Sequence, residues 1–518
     1  MLLPKTNKWK TVKSQLRLPW ASIFLVISVI CLIIFLFSGG NDEVREFYEK
    51  MHLMEVGEEN AFIHNAYFYS NSKSLGKNAV AIVATMHKDA VTDLNDFILK
   101  IVGTNSTNRF VTDGKLTTEQ NPDESCKYTT VLIQTNTLDS MSKLEIETRN
   151  GLVTFPFSEP KVQSTKPVVF CIAPLFASEQ WQSFLMQLQV SNKFGAHLHV
   201  YMMTMLENYY QMVRELGQLG IVTTQPWLTP KFSQVARPFL EPSRNSELRN
   251  PAAAFTDCLL QYKEAAQFIG FMEIEDLLFP LNTLTYYEEF EREYEGSYQI
   301  SALYYQVVEQ QSVKYSSPEN QSLGALLTRA QSGETLKMGR AIVRPERYNS
   351  TWAYYSTEAE KHPVYLAEQD DKPHYLTRKE ILTNAFLRFS NLEYTSEIDN
   401  STVIPMNPLT TDRQLLSEEQ LAEIDQELKE TLLMPSIQEF VKQLPTEDYY
   451  STKLKACLEA QKQGKGQCVN TKACKLPNND KIPCRHSDGL YHSGKVTKPY
   501  TFHFVTEYYF TRNLGCYE

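Results

Sequence analysis

The chain has 518 residues, with 42% apolar and 22% charged side chains, 24 Pro and 20 Gly. That length suits roughly two to four domains, and the composition excludes collagen-like, mucin-like and wholly disordered chains. Net charge is −10, and five basic residues (Lys5, Lys8, Lys10, Lys13, Arg17) precede the first acidic one, Asp42. The remainder is thus more acidic still, which argues against a phosphate-backbone binder and against nucleic acid as a partner.

Leu18 to Phe37 reads LPWASIFLVISVICLIIFLF without a charge. About 20 such residues span the ~30 Å hydrocarbon core as one helix. Cations precede the run, and Asp42, Glu43 and Glu46 follow it. The positive-inside rule then predicts a cytoplasmic tail (1–17), a signal anchor (18–38) and a translocated body, with a polar stem over 39–60. The membrane is therefore an expected partner through one N-terminal helix. This is the arrangement of a single-pass type II protein of the Golgi or endoplasmic reticulum.

Outside that run lie Cys126, Cys171, Cys258, Cys457, Cys468, Cys474, Cys484 and Cys516. An even set in a translocated chain points to disulfides, although sequence alone chooses no connectivity. Sequons at Asn105, Asn320, Asn349 and Asn400 are candidate glycosylation sites on the same side.

Residues 61–160 carry short β-type runs such as NAVAIVATM and YTTVLIQT between turn clusters, predicting a small strand-rich module. Next, strand and helix patterns alternate. Val168–Ala173 is a continuous apolar run, as in a buried parallel strand. A helix is predicted over 179–193, a strand over 196–203, a helix over 206–219, a strand from Ile221, a helix over 252–265 and a strand over 267–272. The expected fold class is α/β, with a mostly parallel central sheet over 161–399 whose ligands bind at the carboxyl ends of the strands. From 400 to 518 the chain is read as helical and then Cys-rich. Ser417-Glu-Glu-Gln420 marks a capping box, and Pro435 interrupts the helix that follows.

The last predicted parallel strand ends in Glu273-Ile-Glu275-Asp276. On an extended backbone Glu273 and Glu275 point to one side, and two convergent carboxylates can hold a divalent cation. A hard cation bridging phosphate oxygens suits a diphosphate leaving group. His197 and His199 alternate on one strand and are read as packing residues. Tyr286, Tyr287 and Phe290, and Trp352, Tyr354 and Tyr355, form aromatic clusters able to stack on sugar rings, though such clusters are usually core.

Several ordered blocks carry a resemblance: Val169-Phe-Cys171-Ile-Ala-Pro174, Gly195-Ala-His-Leu-His-Val-Tyr201, Pro226-Trp227, Asp257-Cys258 and the Glu273–Asp276 turn, with Ala66–Lys77 upstream and Ile342–Glu346 and His374-Tyr375 downstream. Together they resemble glycosyltransferase family 92, a family abundant in nematodes. The resemblance implies a Golgi-type, GT-A-like enzyme that moves a hexose, galactose first among them, from a UDP-sugar to a glycan acceptor with inversion. It implies Mn²⁺ or another divalent cation held by Glu273, Glu275 and His374, with Asp276 and Glu346 as candidates for the catalytic base. Cys171 and Cys258 match recurring family cysteines. The chain departs from the family where Asp-x-Asp-Glu is usual, where an arginine usually follows His-Tyr (here Leu376), and where a histidine is expected around Trp352. These departures give a competing expectation: a catalytically inactive relative that binds glycans or stabilises a partner enzyme.

Overall fold

The computed structural model describes residues 60–516, except 93–98, 119–124, 149–150, 233–241, 282, 296–299, 311–312, 316–321, 330–331, 337–338, 353–376, 384, 390–391, 395–415, 465–467, 478–480 and 495–499. The apolar run 18–37, the stem, Asn320, Tyr354, Tyr355, His374, Leu376 and Asn400 lie outside the described residues. Among the described residues, no helix is long and apolar enough to cross a membrane.

Strands β1 (Asn60–Ser72), β2 (Gly76–His87), β3 (Leu99–Thr104), β4 (Arg109–Thr118), β5 (Tyr128–Asn136), β6 (Lys143–Thr148) and β7 (Gly151–Phe155) come first. The alternating region supplies β8 (Val168–Leu175), β9 (Ala196–Met202), β10 (Thr204–Leu206), β11 (Thr223–Pro226) and β12 (Phe268–Met272). Shorter strands follow: β13 (Asp276–Leu278), β14 (Ile300–Tyr305), β15 (Val308–Gln310), β16 (Val313–Tyr315), β17 (Ser332–Thr335), β18 (Arg340–Val343), β19 (Thr377–Ile381), β20 (Phe386–Arg388) and β21 (Leu392–Tyr394). A final hairpin is made of β22 (Pro483–Ser493) and β23 (Thr501–Leu514).

The alternating region builds a 7-stranded sheet in the order β11-β9-β8-β12-β18-β14-β19. Its β11-β9, β9-β8, β8-β12 and β14-β19 pairs are parallel, whereas β18 runs against both β12 and β14. The sheet is therefore mixed, with its parallel part where the continuous apolar runs lie. Every residue of β8 is buried, as expected of a strand covered on both faces. Gly270 of β12 is required by packing: a Cβ there would lie 2.7 Å from atoms of both Phe170 and Ile342 on the flanking strands.

The helices between these strands, Trp181–Lys193, Glu207–Gln218 and Pro251–Tyr262, match the sequence pattern. The third strand differs, beginning at Thr223 rather than Ile221. Gly220 adopts φ 74° and the Ile221 N–H returns to the Leu216 carbonyl, so Ile221 and Val222 serve the helix exit.

The first and last strands of the described residues pair. The predicted N-terminal module and the C-terminal hairpin share one 10-stranded sheet, ordered β10-β22-β23-β1-β2-β5-β4-β3-β6-β7. Within it β23 pairs parallel to β1, with Asn60 opposite Thr501. The Cys-rich tail is thus only partly helical: helices Glu418–Leu433, Pro435–Val441 and Ser451–Gln463 precede the hairpin. The Ser417–Gln420 capping box forms as read, and Pro435 opens the second helix. Helix Pro251–Tyr262 packs on β8 and β12 of one sheet and on β1, β2 and β5 of the other.

Four disulfides pair all eight cysteines: Cys126–Cys468, Cys171–Cys258, Cys457–Cys474 and Cys484–Cys516. The second links β8 to helix Pro251–Tyr262. The other three fasten the tail, one of them to the segment before β5.

Candidate functional site at the carboxyl ends of the parallel strands

Beyond β8 the chain crosses to β9 on one side, while β12 lies on the other. The crevice outside the carboxyl ends of β8 and β12 is therefore the topological switch point, where an open sheet binds ligands. Glu273 follows β12 directly and stands at that edge.

The carboxylates there are not arranged as an extended strand would place them. The Asp276 N–H donates to the Glu273 carbonyl at 3.2 Å, so 273–276 is a tight turn before β13. The i, i+2 argument for Glu273 and Glu275 therefore fails locally, because the chain folds back one residue after the strand. Asp276 is wholly buried; its Oδ2 accepts from the Glu273 N–H at 2.9 Å and from Arg340 Nε at 2.6 Å. Arg388 stands opposite Asp276 in the β13-β20 ladder. It lies 3.7 Å from Glu275 Oε2 and 3.9 Å from Asp276 Oδ1. Burial, first, pushes the Glu275 carboxyl above its usual range; Arg388 opposes that, and neighbouring Glu273 and Asp276 add to it.

Of the three residues expected to hold a cation, Glu273 and Glu275 share this turn and His374 lies outside the described residues. Asp276 is committed to Arg340, and Glu275 faces Arg388. Among the described residues no group of three His, Cys, Asp or Glu side chains is arranged to hold a metal. The two alternative candidates for the base lie at opposite ends of β12. Because β18 runs antiparallel to β12, with Val343 opposite Ile269, the turn containing Glu346 lies at the amino end of β12, away from Glu273. Asp276 is at the right end but locked under Arg340.

His197 and His199 are buried packing residues, as read. His197 Nε2 meets Thr223 Oγ1 at 2.8 Å, His199 Nδ1 meets the Tyr262 hydroxyl at 3.2 Å, and burial holds both imidazoles below their ordinary pKa. Tyr286 and Phe290 are core, Tyr287 is 38% exposed, and Trp352 is buried with its Nε1 donating to Glu247. Asn105 occupies a hairpin turn, its Oδ1 accepting from the Thr107 and Asn108 amides; Asn349 Oδ1 accepts from the buried Lys263 ammonium.

Sequence reasoning missed a second place at the carboxyl edge of the parallel strands. A cleft there is lined by Phe176 after β8, Met203 after β9 and Thr229 after β11, by the loop Ser243–Asn250, and by Thr471 and Lys472 of the tail. Helix Pro251–Tyr262 starts in this cleft, and no side chain caps its first turn. Uncapped N–H groups at a helix start favour an anion. Ser243 is 8% exposed, and both its Oγ and the buried Arg249 Nε lack a hydrogen-bond partner.

The loop is held rigidly by distant elements. Leu248 N–H donates to the Val469 carbonyl, Tyr128 N–H to the Asn245 carbonyl, and Asn470 Nδ2 to the Arg244 carbonyl. Ala177, Leu248 and Asn250 all adopt positive φ (45°, 49° and 57°), a conformation rare outside glycine that gathers at binding sites. The one sequence-level signal was Arg249-Asn250-Pro251, where Pro suits a first helical position and Asn tolerates the left-handed residue before it.

A model of glycosyltransferase family 92 matches residues 166–432, from just before β8 through helix Glu418–Leu433. Three relatives from Caenorhabditis elegans, each described as a glycosyltransferase family 92 protein, are 42%, 33% and 27% identical over 489, 466 and 470 residues. The alignments cover 92%, 88% and 88% of this chain and 93%, 90% and 90% of the relatives.

Proposed function

The chain belongs to glycosyltransferase family 92, and from that premise we propose that it transfers a hexose, galactose, from a UDP-sugar to a glycan acceptor with inversion. The observation that carries the reading is the cleft beyond β8, β9 and β11, where Ser243, Arg249 and a bare helix start form an anion-seeking wall. The diphosphate of the donor lies toward the cleft and its sugar toward the turn. The parallel order β11-β9-β8-β12 with ligands at its carboxyl edge supports the GT-A-like form of this proposal.

In the reaction, an acceptor hydroxyl oxygen bonds to the anomeric carbon as the bond from that carbon to the phosphate oxygen breaks. UDP leaves with the electron pair, and the hydroxyl proton passes to a carboxylate base. Stabilising the charge on the departing diphosphate is the larger task, and pre-aimed donors do this without reorganisation.

The proposal extends to location in the Golgi or endoplasmic-reticulum membrane with a lumenal body, supported by the run 18–37 and its flanking charges. Protease added to sealed microsomes then spares the body. The functional test incubates full-length protein with a UDP-sugar panel and fucosylated N-glycan acceptors, with and without Mn²⁺. A one-hexose mass increase is expected with UDP-galactose; no product from any donor overturns the reading.

A further inference from the structure

We infer that the two described sequons have opposite fates: Asn105 carries an N-linked glycan, whereas Asn349 is a structural amide that the folded protein keeps unmodified. The inference rests on the lumenal location proposed above and adds where on the body the modification falls. Asn105-Ser-Thr107 and Asn349-Ser-Thr351 satisfy the same pattern, so the sequence does not separate them.

Asn105 stands at the tip of the β3-β4 hairpin, with Ser106, Thr107 and Asn108 exposed. Its Oδ1 accepts from the Thr107 N–H at 3.0 Å, the Thr107 hydroxyl at 3.1 Å and the Asn108 N–H at 2.8 Å. The hydroxyl that a sequon demands thus touches the carboxamide, on a turn open to solvent. Asn105 Nδ2 donates one hydrogen to the Asp139 carbonyl at 3.0 Å, which leaves its second hydrogen for substitution. In the modification, the anomeric carbon of a lipid-diphosphate oligosaccharide bonds to this nitrogen as its bond to the diphosphate oxygen breaks. The lipid diphosphate leaves with the electron pair, and the amide proton passes to a base of the modifying enzyme.

Asn349 is turned inward. The Lys263 ammonium has three hydrogens and meets three acceptors: the Pro345 carbonyl at 2.6 Å, the Tyr348 carbonyl at 2.7 Å and Asn349 Oδ1 at 3.0 Å. Lys263 is buried, so swinging Asn349 out to carry a glycan would strand one donor of a buried cation. The rest of that sequon is closed as well. Ser350 and Thr351 are buried, and the Thr351 N–H donates to Thr256 Oγ1 of helix Pro251–Tyr262 at 3.2 Å.

A glycan at Asn105 also covers a local weakness. Strand β5 pairs with β4 only over Lys115–Thr118, so among the described residues Arg109–Val111 has β3 alone beside it. Phe110 and Val111 on that stretch are 49% and 42% exposed. A bare strand edge with apolar side chains invites pairing with another chain, and hydrophilic bulk at the adjoining tip opposes it.

The test expresses full-length protein in animal cells and removes its glycans with an N-glycosidase in heavy-oxygen water, which leaves labelled aspartate wherever a glycan stood. Peptide mass spectrometry should find the label at position 105 and none at position 349. Label at 349, or none at 105 in protein whose body is protected in sealed microsomes, overturns the inference and leaves the location standing. No label at any sequon, with the body digested, overturns both. Asn105→Gln should remove one glycan without lowering the melting temperature. Asn349→Ala should lower it by about 1–5 °C and leave the glycan mass unchanged; an unaltered melting temperature overturns the structural role. Deglycosylated protein should scatter light at a lower concentration than the glycosylated form, and equal scattering overturns the shielding of β4.

Discussion

Asp257 is the best place to perturb the join between the two large sheets. It lies wholly buried on helix Pro251–Tyr262 and accepts from Asn65 Nδ2 at 2.7 Å, the Tyr67 hydroxyl at 2.8 Å, the Tyr201 hydroxyl at 2.6 Å and Gln225 Nε2 at 3.3 Å. Those donors come from β1, β9 and β11, so one carboxylate ties both sheets to the helix between them. Asp257→Ala leaves two buried tyrosine hydroxyls without an acceptor, at about 1–3 kcal/mol each. Lost bonds from Asn65 and Gln225 add to this, while release of a buried charge offsets part, since burial already raises the Asp257 pKa. The net expectation is a loss of about 3–5 kcal/mol. At about 1–2 °C per kcal/mol for a unit of this size, the melting temperature falls by roughly 3–10 °C. Tyr201→Phe, which removes one donor and keeps the ring, should cost only about 1 kcal/mol. Scanning fluorimetry reads the shift, and amide exchange along β1 reports whether the sheets part. A change below about 1 °C for Asp257→Ala, with β1 protection unaltered, would refute the assigned role.

Three further perturbations follow from the structure. Lys263 is buried with its ammonium against the Pro345 and Tyr348 carbonyls, and burial pulls its pKa down to about 7. The unfolded chain keeps that proton to about pH 10.4, so stability relative to Lys263→Met should rise between pH 7 and 10, by a few kcal/mol at most; a flat difference would contradict the burial argument. Arg249→Ala should raise the UDP dissociation constant about tenfold with little change in melting temperature, and unchanged affinity would remove the cleft from the donor site. Breaking Cys126–Cys468, whose partners are 342 residues apart, should destabilise by about 5 kcal/mol on the chain-entropy model. It should also weaken UDP binding, because that bridge holds the segment carrying Lys472. Retained affinity would show that the tail is not part of the cleft.

The sequence by itself settled what local chemistry dictates. Apolar runs without interruption became buried strands because only a covered strand tolerates them, and Gly220 and the Ser417 box ended and began helices where backbone groups needed partners. The order of blocks from Val169 to Asp276 was enough to identify the family, whose model covers 166–432. Tertiary structure decided everything that depended on residues far apart in the chain. Asp276 reads as a catalytic carboxylate until Arg340 and Arg388 are brought to it from later strands. Glu346 reads as the alternative base, and the reversed direction of β18 places it at the other end of the sheet. The cleft was invisible because its polar groups come from a loop at 243–250 and a tail at 471–472, brought together by the Leu248–Val469 backbone hydrogen bond and by Asn470 Nδ2 donating to the Arg244 carbonyl. A hydrophobic period reports which face of an element is buried; it holds no information on which distant element buries it, and a charged site is defined by that second fact.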